Sequence, residues 1–214
     1  MLLTRRKSIF GDAGKDILTN NSGARIIKKN CPAGSGIKDA RPWRNKMEFT
    51  HEVHTFGPVY DKNSKILILG SFPSVKSREN QFYYGHPQNR FWRVIAAICN
   101  ETLPETVEEK ISLLQRHRIA LWDVIASCDI AGSSDSSIKN VAANNMDVIF
   151  QKADIRAVFA NGDKAYRLYQ KYCAGEGQPP LIRLPSTSPA NAAWKWERLL
   201  EAWSTSVGQK LNES

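Results

Sequence analysis

Residues 65–70, KILILG, are an unbroken apolar run of strand length closed by a glycine, and no other segment restricts the fold as much. A strand with one wet face alternates apolar and polar residues. A continuous run belongs to a strand buried on both faces, as in a parallel sheet covered by helices. Three comparable runs follow: RIALWDVI (118–125), IRAVFANG (155–162) and PLIRLPS (180–186). Helical patterns separate them. NRFWRVIAAICNE (89–101) sets Phe91, Trp92, Ile95, Ile98 and Cys99 at helical spacing, and TVEEKISLLQRH (106–117) starts with a Thr N-cap and acids in its first turn. NNMDVIFQK predicts a short helix, DKAYRLYQKY another, and AAWKWERLLEAWSTS (192–206) a closing amphipathic helix. HEVHTFGPVY (51–60) reads as a short extended lead-in. This alternation predicts an α/β fold, a three-layer αβα sandwich around a central, mainly parallel four-stranded sheet.

In such sheets ligands bind at the carboxyl ends of the strands. The rule selects GSFPS (70–74), DVIAS (123–127), ANGD (160–163) and PSTSPAN (185–191), which the fold brings together. Each alone has an ordinary structural explanation, as a tight turn or a helix cap.

The basic charge belongs to the start of the chain. Residues 1–46 hold 11 Lys and Arg against 3 Asp and Glu, whereas 47–214 hold 19 against 18. A basic arm binds phosphate backbones without sequence preference, but the same composition suits an unstructured tail. Met47 is also a credible alternative start, so 1–46 is expected to be a disordered or spurious extension and 47–214 the folded domain. Cys31, Cys99, Cys128 and Cys173 have no CxxC spacing and no cluster of His ligands. No metal and no cofactor is therefore expected, and a reduced, cytoplasmic setting is the default. No apolar run reaches 18 residues, so no membrane span is expected.

Taken together, LILGSFPS, YYGHPQNRFWRVI, ALWDVI, AVFANGDKAY and RLPSTSPAN resemble the motifs of the uracil-DNA glycosylase superfamily, over residues from about 49 to 205. The nearest likeness is to the hypoxanthine-DNA (deoxyinosine) branch, beside the mismatch-specific uracil/thymine branch. The latter carries a catalytic Asn at the third position of the first motif, where this chain has Phe72. That departure fits the hypoxanthine branch, in which the HPxN segment supplies the Asn, here Asn89. The second motif reads Leu184-Pro185-Ser186 and lacks the His of the classical form.

The resemblance implies a monomeric, monofunctional glycosylase acting on double-stranded DNA that contains a deaminated base. It would flip the base and hydrolyse its N-glycosidic bond with a positioned water. Asn89 and Asn161 are the catalytic candidates, although Asn89 also suits a helix N-cap and Asn161 a turn. An amide takes up no proton, so Asn89 can only orient water through its carbonyl or donate through its NH2. Phe72, Phe82, Tyr83 and Tyr84 are available for stacking, with at least two expected to be plain packing. Phe72, Tyr84 and Asp123 are the base-binding candidates, Asp123 as an acceptor for the N1–H of hypoxanthine or the N3–H of uracil. Ser74, Ser186, Ser188 and Asn191 are the DNA-backbone candidates. Ser186–Ser188 are expected just before a last helix opened by Pro189, with Lys76 and Arg78 adding phosphate contacts. No lysine stands out as a Schiff-base nucleophile. A mismatch-specific uracil/thymine enzyme, a non-catalytic lesion-binding module and a nucleoside hydrolase are the other readings.

Overall fold

The computed structural model describes residues 48–131 and 135–212. The expectation for residues 1–46 lies outside the described residues.

Four strands, β2 (Ile66–Gly70), β3 (Ile119–Asp123), β6 (Ala157–Asn161) and β7 (Leu181–Leu184), form one parallel sheet in the order β3-β2-β6-β7. All five residues of β2 and of β3 are buried, so both faces of the sheet are covered, as the unbroken apolar runs require. Helix α3 (Val107–Arg116) packs on β3, and α5 (Asp163–Tyr172) on β6 and β7. Thr106 caps α3 in a reciprocal box: its hydroxyl accepts from the Glu109 amide and the Glu109 carboxylate accepts from the Thr106 amide. Register then sets the site. Gly70 stands level with Asp123, and Asn161 with Leu184, so the strand ends form one row.

The expected strand RIALWDVI divides at Val124. β3 stops at Asp123, and β4 (Ile125–Ile130) leaves for a second, antiparallel sheet. The Val124 and Ile125 amides donate to the carbonyls of Gly70 and Ser71, which holds this departure against the first-motif turn. In the second sheet β4 lies between β1 (Thr50–Val53), from the expected lead-in, and β5 (Lys139–Ala143). Two register shifts interrupt the β4–β5 pairing.

Three helices also differ from expectation in their bounds. The helix predicted over 89–101 is α2 (Phe91–Ile98), following the short α1 (Val75–Glu79). The 144–152 helix contracts to α4 (Asp147–Phe150). The closing helix α6 (Trp196–Trp203) begins seven residues after Pro189, because residues 189–195 are occupied by turns. A π-helical stretch, Ser204–Gly208, then leads to α7 (Gln209–Asn212). The α6 side chain Trp203 is fully buried, donates from Nε1 to Pro185 O at 2.9 Å and meets Phe91 edge-on. The aromatic core is thereby fastened beneath the second-motif loop. Among the described residues no helix is long and apolar enough to cross a membrane.

Candidate active site

The strand ends enclose a cavity of about 310 Å³, within the usual size of small-ligand sites, about 300–1,000 Å³. Asn89, Asn161, Asp123, Phe72, Tyr84, Ser74, Ser186 and Ser188 all line it. Asn191 does not, nor do the further candidates Phe82, Lys76 and Arg78.

Three side chains fix the orientation of two amides. The Thr187 amide donates to Asn161 Oδ1 at 2.9 Å, so the other end of Asn161, Nδ2, donates to Thr187 Oγ1 at 2.9 Å. The hydroxyl must then pass its own proton on, and it donates to Asn89 Oδ1 at 2.9 Å. The same Asn89 oxygen accepts from the Phe91 amide at 3.0 Å, at the first turn of α2. Capping and site roles therefore coincide in one side chain, although the N-cap position itself belongs to Arg90. Both acceptor positions of Asn89 are taken, and what it offers the cavity is its NH2. Asn161 keeps one N–H and one oxygen lone pair.

Asp123 is buried, and its Oδ2 accepts from His54 Nε2 at 2.9 Å. His54 was not among the sequence candidates: it follows a short exposed strand, and its partner stands 69 positions away. Tyr84 sits at a φ of 52° and stacks on Phe91 with ring centroids 3.9 Å apart. Burial and the neighbouring Asp123 charge push its hydroxyl well above the ordinary phenol range, while the Asn161 side chain pulls the other way. Phe82 stacks on Trp92, and the Tyr83 hydroxyl donates to Gly57 O at 2.8 Å, so these two are held by packing. Phe72 forms a wall of the cavity and meets His54 edge-on.

The second-motif loop is held from within. The Arg90 guanidinium donates to the carbonyls of Trp194, Ser188 (3.0 Å), Asn191 (3.2 Å), Ser186 (3.4 Å) and Thr187 (3.4 Å). The serine hydroxyls cap turns: Ser186 Oγ accepts from the Ser188 amide and Ser188 Oγ from the Ala190 amide. Asn191 Nδ2 donates back to Ser186 O at 2.9 Å, so this side chain points into its own loop. Ser74 caps α1. The expected helix N-terminus behind Ser186–Ser188 is absent, since α6 starts further on. Arg78 is likewise committed inward, to Pro73 O at 2.9 Å and Glu52 at 3.5 Å, and Lys76 pairs with Glu79. Gly162, at a φ of 99°, lets β6 approach this loop, for a Cβ there would lie 2.9 Å from Ser186 Cβ.

Among the described residues no cluster of three His, Cys, Asp or Glu side chains could hold a metal ion. A family model described as the uracil DNA glycosylase superfamily matches residues 58–206. A hypoxanthine DNA glycosylase of Methanosarcina acetivorans is 37% identical over 145 residues, spanning 67% of this chain and 90% of that protein. One of Methanosarcina barkeri is 38% identical over 138 residues, 64% of this chain and 86% of that protein. The solution NMR structure of a candidate uracil DNA glycosylase from Methanosarcina acetivorans aligns with a TM-score of 0.63 at 34% identity, covering 72% of this chain and 96% of that one.

Proposed function

The chain belongs to the uracil DNA glycosylase superfamily, and we propose that it is a hypoxanthine-DNA glycosylase that removes a flipped, deaminated purine from double-stranded DNA. The observation that carries this reading is the Asn161–Thr187–Asn89 relay, which aims two fixed amides into the cavity that Phe72, Tyr84 and Asp123 line. Phe72 stands where the mismatch-specific branch resembled here has its catalytic Asn, so the amide chemistry falls to Asn89 and Asn161. Two of the three similar proteins named above are hypoxanthine DNA glycosylases.

The reaction breaks the bond between C1′ and the base nitrogen, leaving the electron pair on the base. A water oxygen bonds to C1′, and its proton ends on the departing base. Asn89 Nδ2 donates to the base as negative charge gathers there, and the spare lone pair of Asn161 Oδ1 accepts from the water and orients it. Donors fixed in advance where charge develops need no reorganisation during the reaction. Stacking on an aromatic wall returns about 1–3 kcal/mol per base toward the cost of flipping. Ser74, Ser186 and Ser188 rim the cavity on the side where the strand would lie, and Asn191 supports that rim from inside its loop. The abasic product is left unnicked, because among the described residues no lysine lines the cavity as a nucleophile. In this reading the enzyme acts as a monomer without a cofactor and works in the cytoplasm.

Labelled duplexes carrying one deoxyinosine, uracil or mismatched thymine, treated with wild type or Asn89→Ala and then alkali, test this. Cleavage at deoxyinosine that the variant loses is expected. Cleavage confined to uracil or thymine would sink the hypoxanthine assignment, and binding without cleavage would sink catalysis.

A further inference from the structure

Among the described residues two buried side-chain polar atoms have no hydrogen-bond partner, His54 Nδ1 and the Tyr84 hydroxyl, and both belong to groups beside Asp123. His54 lies just beyond β1, with its amide donating to Ala126 O at 2.8 Å. Its side chain is 3% exposed, with ring centroids 4.4 Å from Phe56, 6.0 Å from Tyr83 and 6.3 Å from Phe72. In this aromatic box the imidazole makes one side-chain hydrogen bond, from Nε2 to Asp123 Oδ2. A carboxylate against apolar walls is costly unless something donates to it, and His54 supplies that donor.

The other Asp123 oxygen, Oδ1, has no hydrogen bond from a described residue. It lies 2.1 Å from where a Cβ on Gly70 would stand, and the Tyr84 hydroxyl lies 3.1 Å from the same point. An acceptor and a donor, both on side chains that line the cavity, thus flank the bare Cα of Gly70. A sealed hydroxyl without a partner is unfavourable unless a ligand completes it. Burial and the Asp123 charge keep the Tyr84 proton in place, so it stays available to donate.

We propose that His54 is a positioning residue that holds the Asp123 carboxylate so that Oδ1 and the Tyr84 hydroxyl together read the lactam edge of the flipped base. This rests on the glycosylase reading above and names what that site selects. A lactam edge sets a carbonyl oxygen beside a ring N–H: C6=O and N1–H in hypoxanthine, C4=O and N3–H in uracil. Tyr84 donates to the oxygen and Asp123 accepts from the N–H. The undeaminated parents, adenine and cytosine, present an amine beside a bare ring nitrogen, which sets donor against donor and acceptor against acceptor. Sites built on paired hydrogen bonds reject such mismatches strongly, because buried groups are left unpaired. Guanine shares the lactam edge, and its 2-amino group has to be refused by shape.

The test measures single-turnover excision of deoxyinosine by wild type, His54→Phe, His54→Gln and Tyr84→Phe, with thermal unfolding of each. Phe fills the aromatic box but donates nothing, whereas Gln can still donate to Asp123. Loss of about tenfold or more is expected for His54→Phe and Tyr84→Phe, with most of the rate kept by His54→Gln. A purely structural role for His54 would make Phe at least as good as Gln, and that result overturns the positioning role. Tyr84→Phe removes a single oxygen, and an unchanged rate in it overturns the lactam reading even if a His54 variant unfolds. Wild type inactive on deoxyinosine would bring down the hypoxanthine assignment itself and this inference with it.

Discussion

The Thr187 hydroxyl donates to Asn89 Oδ1 across 2.9 Å, joining the mouth of α2 to a loop that the chain reaches 98 residues later. Thr187 is fully buried, and its hydroxyl also accepts from Asn161. Thr187→Val keeps the shape and removes the relay. Unfolding should show a loss of about 1–3 kcal/mol, the cost of leaving buried polar groups unpaired, and deoxyinosine excision should fall by about tenfold or more.

Gly70→Ala tests the crowding against Asp123. The added methyl would come 2.1 Å from Asp123 Oδ1, so the carboxylate must move. Activity should drop far more than stability, as judged by single-turnover rates beside melting curves, because the side chain displaced is the one assigned to the base.

Arg90 is the second-motif loop's main internal brace. Arg90→Lys keeps the charge but replaces a planar fork serving five carbonyls with a single ammonium bearing three donors. Hydrogen exchange of the Asn191 amide should speed up in the variant while amides of β2 stay protected, and excision should slow.

Glu101 gives a pH signature away from the site. Hydrogen bonds from His117 and then Arg116 hold its carboxyl below the ordinary range. A depressed carboxyl stabilises the fold above its unfolded value, about 4.3, and loses that contribution as pH falls through the folded value. Glu101→Gln should therefore melt below wild type at pH 7, with the gap closing as the pH falls below the ordinary carboxyl range and through the depressed folded value.

The parallel sheet and the meeting of its four ends were legible because buried strands write themselves as apolar runs. Asn89, Asn161 and Asp123 were singled out by motif and position, and all three line the cavity. The second sheet was not legible. Lys139–Ala143 carries no alternation and is largely exposed, and β4 pairs through register shifts. Pro189 suggested a helix start, but the carbonyls after it are satisfied by Arg90 and by turns, which needs no helix. His54 escaped notice because nothing local marks a histidine whose side-chain hydrogen-bond partner among the described residues, Asp123, ends a different strand.

The grip of Arg90 on carbonyls up to Trp194 also dictates when the site can exist. His54, Tyr84 and Asp123 emerge first from a chain made from its amino end, yet the loop that lines the cavity opposite Tyr84 and Asp123 waits for β7 and α6. Contacts so distant in sequence form late, since long loops must close before they are rewarded. A nascent chain would thus carry Asn89, Tyr84 and Asp123 well before it holds Thr187, the residue whose hydroxyl fixes the Asn89 amide.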